Sequence, residues 1–137
     1  MKYKITANSK KGGQAKVEAN KSILNFDASS VRDEQLPNPA ELLLSSFAAC
    51  VLKNVERFSE LLHFNYKTAK ISVQGWRQER PPMMSKIAYV LEVDSDMDLK
   101  KLNLLHKNIL KFGTITNTLA QVVELSGEIK FKKAPNF

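Results

Sequence analysis

Residues 38–63 read NPAELLLSSFAACVLKNVERFSELLH, and this stretch decides the architecture. Leu44, Phe47, Ala48, Val51, Val55, Phe58 and Leu62 recur at i, i+3, i+4 spacing, the mark of an amphipathic helix. Pro39 suits the first helical turn, where its missing N–H has no partner to lose. Between Leu42 and Leu52 only Ser45 and Ser46 interrupt the apolar residues, so this half is expected to be covered on most sides. The middle of the helix carries the chain's one cysteine, Cys50.

Working outward, the residues before the helix alternate as short strands. Residues 2–7 alternate around Tyr3 and Ile5, 14–19 around Ala15 and Val17, and 22–27 around Ile23 and Leu24 or Phe26, with SKKGG and NK as turns. Gly12-Gly13 is a turn and not a phosphate cradle, because no Gly-Lys-Ser/Thr and helix follow. Residues 28–37 form a polar loop that delivers the chain to Pro39. After His63, residues 69–76 and 86–93 alternate as strands around a proline loop at 80–82. Leu99, Leu102, Leu105 and Ile109 then predict a second amphipathic helix over 98–112, capped by Asp96 or Asp98 and stopped by Gly113. A short third helix over 117–125 and a strand over 128–132 complete the pattern. Strands and helices fall in blocks, which favours an α+β fold with antiparallel sheets over a doubly wound parallel one.

With 137 residues and 43% hydrophobic content, the chain is expected to form one domain, 1–137. The opening residues have no apolar leader, and no apolar run approaches the roughly 20 residues of a bilayer span. No membrane partner is expected. A single cysteine makes no intrachain disulfide, so a reducing cytoplasm is the natural compartment. The net charge of +7 comes from scattered lysines without a stacking-aromatic or groove-binding motif, which argues against nucleic acid as a partner. His63 and His106 share no metal spacing with Cys50. Asp94, Asp96 and Asp98 open like a calcium loop, but Leu99 and Leu105 stand where that loop needs Gly and Glu. No cofactor or metal is expected. Trp76 and Met83-Met84 suit either an apolar pocket or ordinary packing.

At about 100° per residue, Cys50 shares a helix face with Leu43, Ser46, Lys53, Asn54, Arg57 and Leu61. Two cations and two hydrogen-bonding side chains there favour the thiolate, the nucleophilic form. A buried cysteine acting as a small hydrophobe is the competing reading. Position and neighbours leave both open.

The run Asn38-Pro39-Ala40-Glu41-Leu42-Leu43-Leu44 with Ala48-Ala49-Cys50 resembles the NPEELLLAALAAC signature of the OsmC/Ohr proteins. Phe112-Gly113-Thr114-Ile115-Thr116-Asn117-Thr118-Leu119 is similar to that family's CPVxNTL segment, and the order of elements agrees along essentially the whole chain. The resemblance implies an OsmC-like fold, an intertwined homodimer with antiparallel sheets flanking the long central helices, and a thiol peroxidase acting on organic hydroperoxides at the subunit interface. Cys50 matches the reactive cysteine, which would be oxidised to a sulfenic acid and reduced by a second thiol. Arg32, Lys53 and Arg57 are the cations placed to stabilise its thiolate.

Two positions depart from the pattern. The second cysteine of the family falls at Gly113, so reduction would need an external thiol or dithiol. The glutamate ten residues before the cysteine falls at Ala40, and its neighbour Glu41 points about 180° from Cys50 on an unbroken helix. The competing function is a non-catalytic relative that keeps the dimer and binds a small hydrophobic molecule or serves as a thiol sensor.

Overall fold

The computed structural model describes residues 1–133, so the expected domain 1–137 ends on four residues outside the described range. The elements run β1 (Ile5–Ser9), β2 (Gln14–Ala19), β3 (Ser22–Asp27), α1 (Pro39–Leu61), β4 (Thr68–Glu79), β5 (Pro82–Asp94), α2 (Leu99–Phe112), α3 (Thr114–Leu119) and β6 (Glu124–Phe131). They form two three-stranded sheets, β1-β2-β3 and β4-β5-β6, with one long helix, as the α+β reading requires. The chain divides into two compact units, Met1–Leu43 and Leu44–Phe137.

The first unit is an antiparallel meander. β1 starts at Ile5 instead of residue 2, because Ile5 pairs with Ala19, where β2 ends, and leaves Tyr3 beyond the ladder. The connecting turn sets this register: Gly13 N–H donates to Lys10 O and Lys10 N–H to Gln14 O. Pairing puts Ile5, Ala7, Ala15, Val17, Leu24 and Phe26 on one face, with Asn8, Lys16 and Asn25 in a row on the other. Asp27 closes the meander. Its carboxylate accepts from the Ser29 hydroxyl at 2.5 Å, the Asp33 N–H at 2.8 Å and the Ser29 N–H at 2.8 Å. These donors, the Ser29 hydroxyl first, hold its pKa below the usual aspartate value. Gly13, at φ 102°, lies so close that a Cβ there would sit 2.5 Å from the Ser29 backbone, so this turn admits only glycine.

The start of α1 belongs to the same unit and is fastened by a capping box. The Asn38 side chain accepts from Glu41 N–H at 2.9 Å, and the Glu41 carboxylate accepts from Asn38 N–H at 3.2 Å. At the other end, Phe64 N–H reaches Ser59 O at 3.0 Å while His63 turns left-handed at φ 58°. The stop is therefore a Schellman-type reversal centred on His63.

In the second unit, Phe47, Val51, Val55 and Phe58 form the buried stripe of α1. Ile87, Tyr89, Leu91 and Val93 alternate inward along β5, and α2 contributes Leu102, Leu105 and Ile109. Ring contacts tie these elements together, Phe47 edge-on to Tyr89 at 5.5 Å and Phe58 against Phe112 at 5.9 Å. The β4-β5 hairpin is longer than the alternation predicts. Pairing resumes beyond an irregularity at Trp76/Arg77 through Arg77, Gln78 and Glu79, so only the cis Arg80–Pro81 pair makes the turn. Asp98 is the α2 cap, accepting from Lys101 N–H at 2.7 Å. α3 begins immediately after Gly113, three residues before its predicted start, and β6 begins at Glu124 rather than 128. β6 pairs parallel to β5, which departs from the expected all-antiparallel pairing, because α2 and α3 carry the chain across before it returns.

The Tyr89 hydroxyl meets His106 Nε2 at 2.6 Å. Burial pushes the Tyr89 pKa up to about 12 and holds His106 below the usual histidine value. A histidine with a depressed pKa favours the folded state only while it is neutral, since the unfolded chain then binds the proton more readily. Its contribution is full above about pH 6.5 and is lost as pH falls through the lower folded value. Urea unfolding midpoints followed downward from neutral pH should show this decline, and His106→Gln should flatten it.

Candidate active site around Cys50

The site is assembled from the middle of α1 and the start of α3, both within the second unit. Cys50 is half-buried and lies off the apolar stripe of its helix. One turn on, Asn54 is only 7% exposed. Its amide Nδ2 donates to the Cys50 carbonyl at 3.0 Å and lies 3.8 Å from Sγ. From α3, the Thr116 hydroxyl comes within 3.9 Å of the same sulfur and is 1% exposed. Both sulfur contacts are long. They nevertheless set an amide and a hydroxyl, each able to donate, beside the one thiol of the chain.

Gly113 accounts for the approach of Thr116. A Cβ at this position would lie 2.7 Å from Thr116 Oγ1 and 3.1 Å from Ile109 O, so the residue is glycine for space and not for conformation. Its backbone is extended, with φ −74° and ψ 121°, and its N–H closes the end of α2 on Ile109 O. Gly113 and Thr116 are thus in direct contact at the start of α3.

The expected cations lie as follows. Lys53 and Arg57 are exposed on α1, with the Arg57 guanidinium 5.6 Å over the Phe58 ring. Arg32 belongs to the first unit, where its guanidinium meets the Glu41 carboxylate at 3.1 Å. Glu41 therefore serves both as helix cap and as arginine partner. Ala40 is half-buried beside it. Lys86 Nζ stands 5.1 Å over the exposed Trp76 ring. A cleft of about 400 Å³ in the first unit is lined by Asn8, Lys10, Lys16 and Asn25. Among the described residues no group of three His, Cys, Asp or Glu is placed to hold a metal ion, and no helix is long and apolar enough to cross a membrane.

Asn54 was legible in the sequence, one turn from Cys50 on the same face. Thr116 was not, because 66 residues separate it from the cysteine. Its one signal is its position within the GTITNTL run.

The family model for OsmC-like proteins matches residues 32–127. The chain belongs to the OsmC-like family. Its members include organic hydroperoxide resistance peroxidases. Among solved structures, an OsmC-like protein of Mycoplasma pneumoniae superimposes with a TM-score of 0.88 at 20% identity, covering 97% of this chain and 99% of that one. The organic hydroperoxide resistance protein OhrB of Bacillus subtilis gives 0.69 at 18% identity, with 95% and 98% covered. A Vibrio cholerae protein described with the organic hydroperoxide resistance proteins, with captopril bound in one of its active sites, gives 0.71 at 14%, with 93% and 91% covered. At these identities the likeness carries the fold. A comparison with curated protein sequences finds no match.

Replacing Gly113 by alanine should push Thr116 away from Cys50 and cost about 1–3 kcal/mol, the usual range for overpacking. Urea denaturation of Gly113→Ala against the parent chain measures it, and unchanged stability would show that Thr116 moves freely.

Proposed function

We propose that this protein reduces organic hydroperoxides through Cys50, using an external thiol or dithiol as reductant. The observation that carries the reading is the pair of buried donors, Thr116 and Asn54, at the sulfur of an OsmC-family chain. Hydrogen bonds to a thiolate favour the charged form, which is the nucleophile. The Cys50 thiolate attacks one peroxide oxygen, an S–O bond forms and the O–O bond breaks. The leaving alkoxide takes a proton and departs as the alcohol, so the peroxide is reduced and the cysteine becomes a sulfenic acid. An external thiol then attacks the sulfenic sulfur, releasing water and leaving a mixed disulfide. A second thiol cleaves that disulfide and restores Cys50. With Gly113 in place of a second cysteine, both reducing equivalents come from outside the chain. Arg32, Lys53 and Arg57 are the cations proposed to stabilise the thiolate.

The same reading includes a homodimer in the cytoplasm. Apolar groups uncovered in the single chain support it: Leu52 on the α1 half expected to be enclosed, and Ile5 and Leu24 on the apolar face of the first sheet. A second copy covering them would restore the burial that their patterning calls for. Bound captopril in the Vibrio cholerae relative supports a site for small organic molecules.

Consumption of cumene hydroperoxide with dithiothreitol tests the chemistry. Cys50→Ser should abolish it, dimedone should trap a sulfenic acid on the parent chain, and Thr116→Val should slow turnover about tenfold, as loss of one hydrogen bond to a charged sulfur implies. If Cys50 stays reduced under peroxide, the peroxidase reading fails and the ligand-binding alternative takes its place. Light scattering in solution should give twice the chain mass. A stable monomer at micromolar concentration would contradict the dimer.

A further inference from the structure

The chemistry of α2 reaches beyond the core it helps to build. Its sequence, LKKLNLLHKNILKF, holds four lysines and no acidic residue. Leu102, Leu105 and Ile109 face inward and are buried. At about 100° per residue, Lys100, Lys107 and Lys111 cluster within about 40° of each other on the outward side. Leu104 and Leu110 flank this cluster, and Leu99 and Asn103 complete an arc of about 140°. The leucines are not hidden: Leu99 is 63% exposed, Leu104 43% and Leu110 40%. Among the described residues, none of Lys100, Lys107 and Lys111 has an acidic partner. Lys101 is excluded from the face, since its Nζ turns back to the His63 carbonyl at 3.4 Å.

Lys111 Nζ lies 5.2 Å over the Phe112 ring. A solvated face rich in lysine needs no explanation, but one in which large apolar side chains alternate with cations that lack an acidic partner does. Lysine stems extend along apolar surface and carry their charges outward, so such a face fits a partner with an anionic layer over an apolar one. We propose that the outward face of α2 docks on the surface of a bilayer containing anionic lipid, with Lys100, Lys107 and Lys111 on the headgroups and Leu104 and Leu110 at the acyl boundary. A nucleic acid or an acidic peptide would engage the lysines alone and leave the leucines without a role. The absence of a spanning segment does not bear on this, because surface docking needs only one face of a folded helix.

The test is cosedimentation with vesicles of phosphatidylcholine alone or with one third phosphatidylglycerol. The full chain should sediment with the anionic vesicles at low salt, release at high salt, and ignore the neutral ones. The triple variant Lys100→Gln, Lys107→Gln, Lys111→Gln should weaken binding on the order of 100-fold, at about fivefold for each lysine near the surface. A charge-matched control, Lys2→Gln, Lys10→Gln, Lys11→Gln, should bind like the parent. Leu104→Ser with Leu110→Ser should weaken binding with the circular dichroism of the fold retained. Equal loss in the control, no loss in the α2 variants, or leucine variants that bind undiminished would overturn the proposal. So would equal affinity for duplex DNA or polyglutamate.

Discussion

Burial of one stripe of α1 is the constraint on which the rest of the molecule depends. Phe47, Val51, Val55 and Phe58 come inward at successive turns, and each is within a few per cent of complete burial. A buried side chain of this kind contributes roughly 1.5–3 kcal/mol, so the stripe outweighs any single polar contact of the chain. Its ring contacts fix the helix to β5 through Tyr89 and to the end of α2 through Phe112. Once that face is committed, every other face of α1 has its direction determined. Cys50, off the stripe, turns toward α3 and away from the centre of the core.

This division of labour explains how a free cysteine can be positioned without being entombed. The stripe holds the helix while Asn54 and Thr116 supply hydrogen-bonding groups at the thiol. Gly113 extends the same logic, since its missing side chain is what lets Thr116 approach. A methyl group there would compete with the hydroxyl for the same space. Glu41 is occupied in capping α1 and in pairing with Arg32. A helix cap and an ion pair share one carboxylate, which ties the loop carrying Arg32 to the helix start.

What was legible in the sequence follows the range of the physics involved. The long helix, the cap at Asp98 and the inward alternation of β5 are local patterns of a few residues, and the structure contains them. The misplaced strand boundaries share a cause: pairing with a distant strand outranked the local pattern. Tyr3 looks like strand until the turn at Gly13 sets the register, and residues 77–79 look like loop until β5 pairs with them. His63 reverses the chain through a left-handed backbone, for which the sequence offers no glycine as a signal. Of the candidate site, Cys50 and Asn54 were visible because four residues of helix relate them.

The sequence by itself determined the order of the elements, the buried stripe and the face that Cys50 occupies, because periodicity along a helix or strand is carried by near neighbours. Only the tertiary structure decided that Thr116 stands beside that cysteine, that Gly113 is small to admit it, and that β6 enters its sheet parallel to β5. Each of these joins residues far apart in the chain. Their meeting depends on how whole elements pack, which no short window of sequence contains.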